Sequence, residues 1–133
     1  MILVDTSVVL DLVTDDPVWA DWSQAMLDAL AGNEEFVIND VVYAEVSVGY
    51  ESIGDLDETM TAWRLRLAPI PRLALFEAGK AYRQYRARAG TKTGVLPDFF
   101  IGAHAAAEGW PLLTRDAARV RTYFPKVQLI APP

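Results

Sequence analysis

Short apolar runs alternate with longer amphipathic segments along this chain. The apolar runs predict buried β-strands at 2–4, 35–39, 67–71 and 111–114, and a further run at 127–130 is a candidate fifth strand. The segments between them predict helices at 6–13, 17–31, 40–54, 55–66, 73–89, 97–109 and 116–124. Because strands separated by helices run parallel and are covered on both faces, we expect an α/β fold with a short parallel sheet of four to five strands.

Local signals predict where the first two helices begin. Thr6 or Ser7 is expected to cap the first helix, and Pro17 to open the second. An apolar stripe at helical spacing in the second helix predicts core or a protein interface; its members are Trp19, Trp22, Met26 and Leu30. A loop is predicted at 90–95.

Length and composition narrow the class of protein. The 133 residues suit one domain spanning 1–133. The chain has no Cys, which excludes disulfides and thiolate metal sites and is typical of a cytosolic protein. We expect no membrane span and no signal peptide, because no apolar run approaches ~20 residues and no basic leader precedes Ile2.

The charge of the chain is unevenly distributed. Residues 1–63 hold fourteen Asp or Glu and no Lys or Arg, whereas residues 64–133 hold all twelve Lys and Arg and four acids. The halves therefore carry −14 and +8, although the net charge is only −6. This asymmetry predicts a basic surface able to attract nucleic acid beside an acidic one. The alternative is that the two halves neutralise each other.

Four acidic residues stand in unusual places. Asp5 follows the first apolar run directly, and Glu45 lies on the apolar face of its predicted helix. Asp98 and Asp116 stand at predicted helix starts, where the alternative is a capping role. Asp5, Thr114 and Asp116 follow strands, and the helices with Glu45 and Asp98 can lean over the same sheet edge. By contrast, Asp11 and Asp28 are interpreted as solvated.

Carboxylates that converge need a cation. At ~4 Å and an effective dielectric near 20, each pair repels by roughly 4 kcal/mol. Since the chain has no Cys and a single His, an all-oxygen site predicts a hard cation such as Mg²⁺ or Mn²⁺. Such a site typically serves hydrolysis of a nucleic-acid backbone without a Ser or His nucleophile. The lone His104 is interpreted as structural.

The segments around the four acids resemble the PIN domain, and in particular the VapC-type toxins of bacterial toxin–antitoxin pairs. In order, the matching segments are ILVDTSVVLDL, NDVVYAEVSVGY, LPDFFIGAHA and LLTRDAARVRTYFPKVQLI. The resemblance covers essentially the full chain. It implies a three-layer α/β/α fold and a metal-dependent endoribonuclease.

The resemblance also implies roles and partners. The four acids would be catalytic and would bind the metal, and Thr6 and Thr114 match accessory hydroxyls that orient a ligand. Asn39 matches a small polar position at a strand end, whereas Asp40 departs from the usual pattern and adds charge or serves a helix start. The implied partners are RNA, a second copy of the chain and an antitoxin whose C-terminal segment blocks the site. The implied location is the bacterial cytoplasm.

A basic stripe with interleaved Tyr82 and Tyr85 favours RNA independently of the family. Its members are Lys80, Arg83, Arg86, Arg88 and Lys92. The alternative is a solvated helix face with core tyrosines. Arg115 could contact phosphate or pair with an acid. The acidic half, with Trp19, Trp22 and Trp63 taken as exposed, is a candidate dimer or antitoxin surface.

Other functions remain open at this point. Haloacid dehalogenase-type phosphatases need a second Asp two residues after the first, where this chain has Ser7. Receiver domains need paired acids after the first strand, and Asp5 stands alone. The main alternative is a PIN-like module that binds RNA or protein without cleaving it.

Overall fold

The fold is built on a parallel sheet, and the candidate functional site lies at the carboxyl ends of its strands. The computed structural model describes residues 1–88, 90–91 and 94–133, and these form a five-stranded, all-parallel sheet covered by helices in three α/β/α layers. The strands are β1 (Ile2–Val4), β2 (Phe36–Ile38), β3 (Leu65–Leu67), β4 (Leu112–Leu113) and β5 (Leu129–Ile130). The predicted fold class is confirmed.

Seven helices connect the strands within the described residues. They are α1 (Thr6–Val13), α2 (Ala20–Leu30), α3 (Asp40–Ser47), α4 (Ile53–Ala62), α5 (Arg72–Ala87), α6 (Leu96–Glu108) and α7 (Ala118–Tyr123). None of these helices is long and apolar enough to cross a membrane. The final residue of the helix predicted at 73–89, and positions 92 and 93 of the loop predicted at 90–95, lie outside the described residues.

The order of the strands creates a crevice. The sheet runs β3-β2-β1-β4-β5, so the chain builds outward from β1 on one side before it returns to place β4 on the other. Leu3 pairs with Leu112 and Val4 with Leu113, all fully buried. Parallel sheets bind ligands beyond the carboxyl ends of strands where the order reverses. Here that point lies between β1 and β4.

The first two helices begin differently from the prediction. Asp5, not Thr6 or Ser7, caps α1, since its carboxylate accepts a hydrogen bond from the Thr6 amide at 2.8 Å. Pro17 does not open α2, which begins at Ala20. The carboxylate of Asp16 accepts hydrogen bonds from the amides of Val18 and Trp19, both at 2.9 Å, and this turn delays the helix.

Further boundaries were predicted wrongly, among them that of the helix predicted at 55–66, which spans Ile53–Ala62. The helix predicted at 40–54 ends at Ser47, because Ser52 caps a separate helix by accepting a hydrogen bond from the Asp55 amide at 3.1 Å. The third strand ends at Leu67, whereas 67–71 was predicted. Pro69 and Pro71 have no amide hydrogen for the sheet, so the strand occupies the residues before them.

Gly102 provides a test of how tightly α6 packs against α7. A Cβ atom at this position would lie 2.6 Å from Phe124 Cδ2 and 3.4 Å from Val120 Cγ2. We therefore expect Gly102→Ala to lower the free energy of unfolding by about 1–3 kcal/mol in urea denaturation, through overpacking. Gly79→Ala is the matched control, because nothing lies within 4 Å of its Cβ in α5 and it should stabilise by up to ~1 kcal/mol. Equal effects of the two changes would contradict this packing.

Candidate active site

The four predicted acids line one small cavity at the crevice between β1 and β4. The cavity has a volume of about 110 Å³, and its polar lining consists of Asp5, Thr6, Ser7, Glu45, Asp98, Asp116 and Arg119. Asp5 extends from the end of β1, Glu45 from α3 and Asp98 from the first turn of α6. The structure thus brings together residues that are up to 111 positions apart (5 to 116) in sequence.

Asp5 is held by hydroxyl donors from both sides of the crevice. Its Oδ2 accepts hydrogen bonds from Thr114 Oγ1 at 2.7 Å and from Ser7 Oγ at 3.1 Å. Thr114 is completely buried just past β4, and its hydroxyl also accepts a hydrogen bond from the Asp116 amide at 3.0 Å. Thr114 therefore ties the position of Asp116 to that of Asp5.

Glu45 is oriented by a neighbour of Asp5. The Thr6 hydroxyl donates a hydrogen bond to Glu45 Oε1 at 2.7 Å, which links α1 to α3 at the cavity wall. The start of α3 is fixed by Asn39, whose Oδ1 accepts hydrogen bonds from the amides of Val41 at 3.1 Å and Val42 at 3.0 Å. Asn39 is buried and caps this helix, so it acts on Glu45 through the backbone and does not line the cavity.

The electrostatics of the cavity disfavour full ionisation. Desolvation by burial is the main cause that raises the pKa of Asp5 to about 6. Hydrogen bonds from Thr114 and Ser7 oppose this rise, and the charge of Asp98 adds to it. Burial also raises the pKa of Asp98, with Asp116 contributing and Arg119 opposing. Asp98 therefore acts on Asp5, and Asp116 acts on Asp98, through their charges.

Arg119 is a site residue that sequence reasoning missed. Its Nη1 lies 2.5 Å from Asp98 Oδ2, and among the described residues it is the cationic side chain that lines the cavity. The two residues are 21 positions apart and come from different helices, so no local pattern connects them. The available signal was a cation three residues after Asp116, too weak on its own to predict a pairing.

Asp11 was interpreted as solvated, and the structure corrects this. Its side chain is buried and accepts hydrogen bonds from Arg115 Nε at 2.9 and 3.1 Å and from Ser23 Oγ at 3.0 Å. Arg115 therefore pairs with an acid, and its guanidinium also lies 5.6 Å from the Trp19 ring centroid. Because Arg115 precedes Asp116, the ion pair anchors the turn that follows β4. Asp28 is exposed, as predicted.

The predicted basic stripe lies outside the cavity. Lys80, Arg83, Arg86 and Arg88 are exposed along α5 and its end, and none of them lines the site. Tyr82 and Tyr85 are half-buried and pack against Phe99, as expected for core tyrosines. Lys92 lies outside the described residues. The candidate surface tryptophans, Trp19, Trp22 and Trp63, are half-buried rather than exposed.

His104 and Asp40 also lie away from the cavity lining. The His104 ring is fully buried, and its Nδ1 is 3.2 Å from Asn39 Nδ2. Because that amide nitrogen is a donor, His104 Nδ1 accepts, and the ring stiffens the cap of α3. Asp40 Oδ2 accepts a hydrogen bond from the Ile70 amide at 3.2 Å, which joins the start of α3 to the segment after β3.

The four acids line the same cavity, but this alone does not make them the ligands of a metal ion. Among the described residues, no three acids or histidines are arranged so that they could hold a metal ion. The oxygens of Asp5, Glu45 and Asp98 are instead engaged by hydroxyl, amide and guanidinium donors. The four acids therefore share one cavity wall without forming such a group among the described residues.

Comparisons with known proteins agree with this architecture. A sequence model of the PIN domain family matches residues 2–125. A search of curated proteins finds no match. Solved structures of similar fold include VapBC2 from Rickettsia felis bound to a promoter DNA fragment, with 20% identity, 98% of both chains covered and a TM-score of 0.74.

Two further structures share the fold. A toxin–antitoxin complex from Klebsiella pneumoniae is 21% identical, with 100% of this chain and 98% of that chain covered and a TM-score of 0.72. FitAcB from Neisseria gonorrhoeae is also 21% identical, with 98% and 96% covered and a TM-score of 0.66. At these identities the likeness concerns the fold.

The raised pKa of Asp5 predicts a specific dependence of stability on pH. The native state binds a proton at this site more readily than the unfolded chain, so the free energy of unfolding falls as pH rises from about 4 to about 6. Asp5→Asn removes this titration. We expect native protein to lose roughly 2 kcal/mol more than the variant between about pH 4.5 and 7.5, measured by urea denaturation. Parallel pH profiles of native and variant protein would contradict the assignment.

The ion pair between Asp11 and Arg115 should contribute to stability. Asp11→Asn leaves the guanidinium of Arg115 without its charged partner, and we expect a loss of about 2–3 kcal/mol in the free energy of unfolding. Asp28→Asn on the exposed face of α2 is the matched control and should stay within ~0.5 kcal/mol of native protein. A loss no larger than that of the control would show that Asp11 is not a structural anchor.

Proposed function

This chain belongs to the PIN domain family, and we propose that it is a metal-dependent endoribonuclease that acts as the toxin of a toxin–antitoxin pair. The observation that carries the proposal is the convergence of Asp5, Glu45, Asp98 and Asp116 on one cavity at the β1–β4 crevice. Toxin–antitoxin complexes among the structures of similar fold support an antitoxin as a partner. We further propose a homodimer in the bacterial cytoplasm.

The donor set at the cavity fits a hard cation. Its charged oxygens come from carboxylates, with the hydroxyls of Thr6 and Ser7 beside them, and the chain has no Cys. Oxygen ligands of this kind suit Mg²⁺ or Mn²⁺. The residues that would hold the ion are Asp5, Glu45, Asp98 and Asp116. Because Asp5 and Asp98 have raised pKa values, binding of a cation would also favour their ionised forms.

The chain's own groups prepare the site for hydrolysis. A bound cation would supply an activated water and neutralise charge on the phosphodiester. Thr114 and Ser7 fix the rotamer of Asp5, and the Thr6 hydroxyl fixes one oxygen of Glu45, so these carboxylates keep their orientation as charge changes nearby. Asp116 is exposed at the mouth of the cavity, where a phosphate backbone would approach.

A second function is favoured by one observation. Since no three acids or histidines of the described residues are arranged to hold a metal, the chain could bind RNA or protein through this fold without cleaving. Such a binding module would keep its RNA affinity after chelation and would release no new RNA ends. The two functions therefore differ in a measurable way.

Cleavage of total cellular RNA tests the proposal. Purified protein free of antitoxin should produce discrete cuts with Mg²⁺ or Mn²⁺, and EDTA should abolish them because the carboxylates alone cannot activate water. Asp98→Asn should lower the cleavage rate by about 100-fold or more, through loss of one charged ligand.

Asp28→Asn is the matched control, since it makes the same chemical change on an exposed helix face and should cleave at the native rate. Folding of both variants is checked by thermal melting. RNA bound without cleavage, at equal affinity with and without EDTA, would contradict the nuclease and favour the binding module. Mapping the cut ends would identify the target RNA.

A further inference from the structure

The cavity contains a cation of its own. Arg119 reaches in from α7 and places Nη1 2.5 Å from Asp98 Oδ2. The side chains are 23% and 44% exposed, so the pair stands at the cavity wall rather than in the core. An ion pair this accessible to water contributes little to stability. Its position inside the acidic cavity therefore calls for an explanation other than holding α6 and α7 together.

An aromatic ring supports the same guanidinium. The Cζ atom of Arg119 lies 5.7 Å from the centroid of the Tyr85 ring. That ring is held in place by Phe99 at 5.7 Å and by Tyr123 at 6.3 Å between centroids. A guanidinium over an aromatic face is attracted by the ring quadrupole. Arg119 thus has a second favourable contact that does not depend on Asp98.

The guanidinium of Arg119 and a divalent metal ion would compete for the same carboxylates. The charge of Asp98 raises the pKa of Asp5, and the charge of Asp116 raises the pKa of Asp98, so the three carboxylates share this corner of the cavity. Arg119 offsets part of this repulsion with one positive charge. A divalent ion at the carboxylates would supply two, and it would repel a guanidinium on the same carboxylate across a few ångströms.

We propose that Arg119 competes with the divalent cation for Asp98. The guanidinium of Arg119 pairs with Asp98 until the ion displaces it, and it then remains against the Tyr85 ring. This inference rests on the proposed function and adds to it a control of metal affinity within the chain. In the structure Arg119 is paired with Asp98, and no three acids or histidines of the described residues are placed to hold a metal. Arg119 would thus act on the metal ion through Asp98.

Mn²⁺ binding without RNA tests the competition. Free Mn²⁺ is measured by electron paramagnetic resonance during titration of native protein and of three variants, Arg119→Gln, Arg119→Lys and Arg121→Gln. We expect Arg119→Gln to bind Mn²⁺ about tenfold or more tightly than native protein, because the competing charge is gone. Arg119→Lys keeps the charge and should stay closer to native affinity. Arg121→Gln, an exposed change on the same helix, should stay within about twofold.

Each outcome of this experiment decides the proposal. Tighter binding by Arg119→Gln alone supports it, and misfolding cannot produce a gain of affinity. Equal affinities of all four proteins, or equal gains for the two Gln variants, would overturn the competition while leaving the metal-dependent nuclease intact. If none of the four proteins binds Mn²⁺, both the competition and the metal-dependent nuclease are overturned, since there would be no metal ion for Arg119 to compete with.

Discussion

A carboxylate at the end of a central parallel strand loses much of its hydration, and its neighbours must make up for this loss. Asp5 is in this position, and desolvation raises its pKa to about 6. Its donors come from the first turn of α1 and from the buried Thr114 beyond β4, so the carboxylate joins two parts of the chain that are remote in sequence. The turn after β4 carries Asp116 and leads to α7. The geometry of the whole site therefore follows from how Asp5 is kept in place.

Much of this arrangement could be predicted from the sequence because its causes are local. Apolar runs between helical segments predict a parallel sheet, and in such a sheet acids that follow strands meet at one edge. That argument predicts that Asp5 and Asp116 lie together at the carboxyl ends of β1 and β4. Glu45 could be included because it stands on an apolar helix face, which is unusual for a carboxylate.

The rest depends on tertiary contacts that leave no local signal. In the sequence Asp11 resembles an ordinary surface acid. Its partner Arg115, which donates a hydrogen bond to its carboxylate, lies 104 residues later. The pairing of Arg119 with Asp98 arises where α7 crosses α6, and the periodicity of a six-residue helix says nothing about such a crossing. Ion pairs between the acidic and basic halves, such as Arg115 with Asp11 and Arg66 with Glu35, show that part of the charge asymmetry is neutralised within the fold.

The position of β1 also has a consequence for the order in which the chain assembles during synthesis. β1 is made first, yet one of its two neighbours in the sheet, Leu112–Leu113, emerges from the ribosome only after more than a hundred further residues. Contacts this distant in sequence form late, because the conformational entropy of the intervening chain is lost before the contacts stabilise the fold. Thr114 and Asp116 arrive with that strand. The groups of the candidate site can therefore come together only after Leu112–Leu113 and the turn that follows them have been synthesised and have docked beside β1.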